Sequence, residues 1–184
     1  MLETLSYIGE IINNNNITWG VGGSLLLKIH NLIDNPNDID ILVSKYNATH
    51  LNKILLPLGK RKEVTYSAPF RTSYFTKYCI NNIGIDIMGG FAIEHAEGIY
   101  KLSFHRDSIV AYQKINGVDI PLCSLEDWYI LYCLIPNRQD KLELLEKYFK
   151  TNGIQHARIL ENALMQPLPA KIKAKVLRLL NQPK

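Results

Sequence analysis

The chain has 184 residues, with 21 Lys and Arg against 17 Asp and Glu for a formal charge of +4; 47% of residues are hydrophobic and 21% charged. These proportions exclude a disordered chain and supply a core for one domain, or for one domain with a helical appendage. The mild positive excess favours anionic partners, phosphates included, and falls short of the dense basic face of a dedicated nucleic-acid binder.

In chain order, Leu2, Leu5, Ile8 and Ile12 recur at helical spacing and predict an opening amphipathic helix, ended by the Asn13–Asn16 run. Ile17–Val21 reads as a short buried strand, and Gly22-Gly23-Ser24 follows at once. Leu25, Leu26, Ile29, Leu32 and Ile33 fall on one face of a second helix that Asn35-Pro36 terminates. Asp38–Val43 sets Ile39, Ile41 and Val43 against Asp38, Asp40 and Leu42, the period of a strand. Leu51–Leu58 is predicted helical. Tyr74–Ile80 and Ile83–Met88 form two strands joined by Asn81-Asn82, a pair that tolerates the left-handed backbone of a tight hairpin. Ile115-Asn116-Gly117-Val118 signals a second hairpin.

The character changes after Pro121. Ser124 with Asp127 resembles a helix-start cap, and Leu125–Leu134 is apolar enough to be a core helix, which Pro136 ends. Helices around Asp140–Lys150 and Ile154–Met165 flank Asn152-Gly153. The last helix, Ala170–Leu180, sets Lys171, Lys175 and Arg178 opposite Ile172, Val176, Leu179 and Leu180, a pattern that usually just keeps a helix soluble. Strands precede Leu122 and helices follow it, so the expected plan is α+β: residues 1–122 as a mixed sheet flanked by helices, and 123–184 as a helical subdomain.

Three features carry chemistry. A Gly-Gly-Ser turn between strand and helix lets backbone N–H groups approach a phosphate without a Cβ in the way, and the Ser24 hydroxyl adds a donor. Asp38 and Asp40, two apart on a strand, project to one face, where their repulsion is most easily understood if a cation lies between them. Oxygen-only donors of this kind suit Mg²⁺. Asp86 stands on the face opposite the isoleucines of Ile83–Met88, an unusual place for a carboxylate; a lone one there can equally be a rim residue paired with a lysine.

Together these residues resemble the nucleotidyltransferase superfamily, the fold of DNA polymerase beta, tRNA nucleotidyltransferases and aminoglycoside adenylyltransferases. The family pattern appears as Val21-Gly22-Gly23-Ser24 followed by Asn37-Asp38-Ile39-Asp40-Ile41-Leu42-Val43, with a long linker, and Asp86 matches the third family carboxylate by order. Pro121–Phe149 looks like the helical segment that follows the catalytic domain in small bacterial members of the antibiotic and toxin–antitoxin type. There an acidic helix start, Leu125-Glu126-Asp127, precedes Arg138-Gln139-Asp140-Lys141.

The resemblance implies transfer of a nucleoside monophosphate from an NTP, expected to be ATP, to a hydroxyl acceptor on a small molecule or a protein. It implies Asp38, Asp40 and Asp86 as ligands of Mg²⁺ or Mn²⁺ in a two-metal arrangement. Asp86 would also activate the acceptor hydroxyl, Gly22, Gly23 and Ser24 would hold the phosphates, and Arg138 and Lys141 would contact the triphosphate. The competing class is a non-catalytic nucleotide-binding or interaction module on the same fold, which has no need to concentrate three carboxylates. No second nucleic-acid domain is evident, so template-directed or tRNA-tailing chemistry is not expected.

The remaining motifs point away from other chemistries. His30, His50, His95, His105 and His156 share no zinc spacing, and neither a P-loop nor a G-x-S-x-G elbow is present. Cys79, Cys123 and Cys133 are odd in number without a C-x-x-C pair and read as small apolar residues of a reducing compartment. With no basic start and apolar run after Met1 and no long apolar stretch, the expectation is a cytoplasmic protein.

Overall fold

The computed structural model of the protein describes residues 1–65 and 67–181. Helix α1 (Leu2–Asn14) buries Leu5, Ile8 and Ile12. It is followed by β1 (Trp19–Gly22), α2 (Gly23–Ile29), β2 (Ile39–Val43) and α3 (Lys45–Leu55) with a 3-10 turn over Leu56–Leu58. Next come the strands β3 (Lys60–Lys62), β4 (Tyr74–Ile80), β5 (Ile83–Gly89), β6 (Phe91–His95), β7 (Gly98–Leu102), β8 (Ala111–Ile115) and β9 (Val118–Leu122). Four helices close the chain: α4 (Leu125–Leu134), α5 (Gln139–Asn152), α6 (Ala157–Leu164) and α7 (Ala170–Leu180). Strands lead and helices follow, the expected α+β plan.

Seven strands form one mixed sheet in the order β3-β4-β5-β2-β1-β9-β8, while β6 and β7 form a separate hairpin. Both sequence-predicted hairpin turns are present. Asn81 and Asn82 (φ 50 and 62) and then Asn116 and Gly117 (φ 49 and 83) adopt the left-handed conformations that such two-residue turns need. The connection that matters most is long: β2 and β5 run parallel, with Asp40 opposite Asp86. Parallel partners need a crossover, and α3 lies on that crossover and packs on β5.

The isoleucine face of the sheet, with Ile39, Ile41, Ile85 and Ile87 fully buried, belongs to a hydrophobic cluster that continues into the C-terminal helices through Leu131, Leu145, Phe149, Leu160 and Val176. Buried acidic residues organise that helical part. Ser124 Oγ accepts the N–H of Asp127 and donates to its carboxylate, both at 2.9 Å, capping α4 as its sequence suggests. Glu126 accepts the N–H groups of Gln155 and His156, each at 3.0 Å, which ties α4 to the start of α6. On α7, Ile172, Val176 and Leu179 are buried, and Lys175 pairs with Glu146 at 3.0 Å.

The structure differs from the sequence reading at α2, at three added strands and at α3, which starts at Lys45 rather than Leu51 and gives way to the 3-10 turn after Leu55. Helix α2 ends at Ile29 rather than continuing through Ile33, because Asn31 turns left-handed (φ 58) and Leu32 N–H bonds back to Leu27. The hairpin β6–β7 and the short exposed β3 are additional strands. All three cysteines are free. Among the described residues, no helix is long and apolar enough to cross a membrane.

Candidate active site

The site is assembled by strand register. Residues opposite one another on neighbouring strands share a face of the sheet. Lys77 on β4, Asp86 on β5, Asp40 on β2 and Gly22 on β1 therefore form one row across it. Asp38, two residues before Asp40, completes an acidic cluster. Ligand atoms of Asp38, Asp40 and Asp86 all lie within 4.8 Å of one another, and this is the one potential metal-ligating group among the described residues.

Burial and mutual repulsion set the electrostatics. Asp40 is pushed up to about 8, first by burial and then by the charges of Asp38 and Asp86. Burial likewise raises Asp86, opposed by Lys77, whose Nζ donates to its Oδ2 at 2.5 Å. Such a cluster gains by taking up either protons or a cation. Its donors are all carboxylate oxygens, the set that Mg²⁺ accepts together with waters and phosphate oxygens. The residues thus fit the divalent ion that the resemblance implies.

The Gly-Gly-Ser turn packs against this cluster. Gly23 has φ +60, and a Cβ there would fall 1.6 Å from Asp40 Oδ2. Glycine is required both for the left-handed backbone and for the close approach of the carboxylate. At Gly22 a Cβ would meet the Trp128 indole at 2.2 Å, so the missing side chain admits that ring beside the site. Ser24 is buried, and its Oγ accepts the N–H of Asn37 at 3.1 Å, which fixes the approach to Asp38 and leaves the hydroxyl proton to donate elsewhere.

Helix α4 and the start of α5 form the facing wall of a cleft of about 340 Å³. Trp128 and Tyr132 come from α4, Arg138 and Lys141 from the α5 start, and all four line the cleft with Ser24 and the three aspartates. Lys141 Nζ lies 5.4 Å from the Tyr132 ring centroid, and its pKa is lowered by burial and then by Arg138, against the attraction of Asp40, Asp140 and Asp38. The two aromatics carry the buried side-chain polar atoms without a hydrogen-bond partner among the described residues, Trp128 Nε1 and Tyr132 OH. The indole has at most the Cys123 thiol beside it, a weak acceptor. Leaving a donor unsatisfied in a protein interior costs about 1–3 kcal/mol. The indole Nε1 is closed off by Gly22, whereas the Tyr132 hydroxyl lies within the fields of Asp40 and Arg138 beside the cleft.

All eight sequence-predicted site residues, Gly22 through its packing on Trp128, thus converge on one cleft. Sequence reasoning missed Lys77, Trp128, Tyr132 and an aromatic lobe, Phe70, Phe75 and Phe91, at the far end. Lys77 was within reach: counting outward from the Asn81-Asn82 turn pairs residue 77 with residue 86.

No protein-family model matches the chain, and no curated protein matches it in sequence. Solved structures do. A candidate nucleotidyltransferase from Thermotoga maritima superposes with a TM-score of 0.63 at 25% identity, over 82% of this chain and 93% of that one. The fold is that of the nucleotidyltransferase superfamily. ANT(2″)-Ia, solved in complex with adenylyl-2″-tobramycin, superposes at TM-score 0.55 and 15% identity, over 80% of this chain and 88% of its own. The lincosamide antibiotic adenylyltransferase LnuA, bound to lincomycin, gives TM-score 0.52 at 17% identity over 78% of this chain and 95% of its own. Those two likenesses concern the fold.

Proposed function

We propose that the protein is a nucleotidyltransferase that moves a nucleoside monophosphate from an NTP, most simply ATP, onto a hydroxyl acceptor. The observation that carries this reading is the cluster of Asp38, Asp40 and Asp86 packed against Gly23 and faced across the cleft by Arg138 and Lys141. A pure binding module gains nothing from crowding three carboxylates where burial, and then their mutual repulsion, raises the Asp40 pKa. A catalyst that must hold a divalent ion beside a triphosphate does.

Asp38 and Asp40 would hold Mg²⁺ or Mn²⁺, with Asp86 the ligand nearest the acceptor. The ion they hold would supply charge neutralisation at the transferred phosphoryl group and polarisation of the acceptor hydroxyl. This chain's own groups do the rest. The Gly23 backbone and the Ser24 hydroxyl orient the outer phosphates, while Arg138, Lys141 and the free Tyr132 hydroxyl bind the departing pyrophosphate. The acceptor oxygen bonds to the α-phosphorus as the bridging P–O bond breaks, its electron pair leaving with pyrophosphate. The hydroxyl proton passes to Asp86, a better base for being raised by burial, while Lys77 holds the carboxylate in place. The helical segment from residue 123 supplies the pyrophosphate wall in this scheme.

The test is incubation with each NTP labelled at the α-phosphate, Mg²⁺ or Mn²⁺, and a fractionated lysate as acceptor source. Metal-dependent appearance of label in an acceptor supports the reading. Metal-dependent nucleotide binding with no transfer to any fraction would instead favour a non-catalytic module.

A further inference from the structure

The far end of the cleft differs from the rest of it. Along β5, Met88 follows Asp86 on the same face, and its cross-strand partner on β4 is Phe75, next in row to Lys77. Phe70 and Phe91 meet there edge to face, with ring centroids 6.2 Å apart, and Lys77 Nζ lies 5.3 Å from the Phe75 ring centroid. Thr72 adds a hydroxyl that is already engaged with the Ala92 N–H. An aromatic and thioether lobe therefore begins one residue pair beyond Asp86.

Its place relative to the reaction follows from the geometry of displacement. In an in-line transfer the attacking oxygen arrives opposite the leaving pyrophosphate. With the pyrophosphate toward Ser24, Arg138 and Lys141, the attacker enters from the side of Asp86 and Lys77, where the lobe lies. The charge balance is equally directive. The cleft's charged lining among the described residues is Asp38, Asp40 and Asp86 against Lys77, Arg138 and Lys141. Once the carboxylates are committed to a divalent ion, none among the described cleft residues is left to pair with a cationic acceptor, and Lys77, bonded to Asp86, keeps the acceptor side from being acidic.

Resting on the nucleotidyltransferase reading, we infer that the acceptor is a small alcohol without positive charge, carrying an aromatic or otherwise apolar body that seats among Phe70, Phe75, Met88 and Phe91. The apolar body docks by burial of its surface, its hydroxyl falls beside Asp86, and a polyamine acceptor is disfavoured.

The test separates the acceptor subsite from the nucleotide site. Saturation-transfer NMR is run on the whole protein with Mg²⁺ and three probes: nitrophenyl glucoside as the neutral aryl polyol, an aminocyclitol polyamine, and glucose phosphate. Mg²⁺–ATP binding is measured separately by calorimetry. Expected is saturation of the nitrophenyl protons, weak or no signal from the polyamine or from glucose phosphate, which lacks an apolar body, and an aryl affinity reduced about tenfold on loss of one ring in Phe70→Ala or Phe75→Ala. Both positions are half-buried, so at least one variant should fold, and Mg²⁺–ATP affinity should hold in each. Stronger binding of the polyamine, aryl binding unchanged in both folded variants, or competitive displacement of the aryl probe by adenosine would each overturn the inference. If the aryl probe binds at the lobe and Mg²⁺–ATP does not bind at all, the subsite stands and the nucleotidyltransferase reading fails.

Discussion

Replacing Asp40 by Asn should stabilise the metal-free protein, and the gain should depend on pH in a specified way. In the folded chain Asp40 is held to about 8, against an ordinary 3.8, by burial and by Asp38 and Asp86. A folded-state pKa above the unfolded one means that the native state binds more protons between those values. Stability is therefore fully present near pH 4 and is lost progressively as pH rises toward 8. At about 1.4 kcal/mol per pH unit, carrying that charge has a ceiling of several kcal/mol. Lys141 and Lys77 offset part of that cost and Asp40 is only half-buried, so about 1–3 kcal/mol is the expected gain at alkaline pH, the usual scale of a single substitution. Urea denaturation in EDTA should show the variant and the native chain converging near pH 4 and separating near pH 8. Mg²⁺ should then restore the native chain and leave Asp40→Asn unmoved, since only the former binds it well. A variant less stable at every pH would refute the reasoning, because it would make Asp40 a structural hydrogen-bonding residue.

Three further substitutions probe other walls of the cleft. Gly23→Ala forces a left-handed residue, at about 1–2 kcal/mol, and drives a methyl group into the Asp40 carboxylate; its melting temperature should fall and calorimetry should detect no Mg²⁺–ATP binding, whereas native affinity in the folded variant would remove the turn from the site. Asp86→Asn should keep NTP affinity within a few-fold and lower turnover about 10²-fold or more, the usual loss with a general base, and unchanged kinetics with a working acceptor would exclude it from catalysis. Tyr132→Phe deletes an unpartnered buried hydroxyl, so metal-free stability should hold or rise while Mg²⁺–ATP affinity drops about tenfold, the worth of a hydrogen bond to a charged group; equal affinity would show that the hydroxyl does not face the triphosphate.

Local chemistry was legible wherever one short segment decides the structure. Asn81-Asn82 and Asn116-Gly117 announce hairpins because few other residue pairs accept two left-handed positions. Ser124 announces the α4 start because its hydroxyl caps the N–H three residues on. Asp38-Ile39-Asp40 shows its two carboxylates sharing a face because a strand alternates. What stayed hidden depends on distant segments meeting. Nothing local says that β2 and β5 pair in parallel with Asp40 beside Asp86. Nor does anything local say that Trp128 fills the space Gly22 leaves, or that Phe70 and Phe91 meet at the end of the cleft. β3 went unread because Lys60–Lys62 is exposed and has no apolar alternation. The β6–β7 hairpin turns through Ala96-Glu97, which carries no turn signal of its own. Helix α2 looked longer because Leu32 and Ile33 keep its apolar period beyond the left-handed Asn31 that ends it.

In the proposed reaction, Asp38 and Asp40 serve metal-dependent transfer of a nucleoside monophosphate. Parallel reactions with ATP labelled at the α-phosphate and at the γ-phosphate, each with Mg²⁺ and an acceptor-containing lysate fraction, test it most directly. Label should reach the acceptor from the α-position only, the γ-label should be released as pyrophosphate, and both signals should be lost in EDTA and in the Asp38→Asn, Asp40→Asn double variant. Transfer of the γ-label, or native α-label transfer by the double variant, would contradict the proposed reaction.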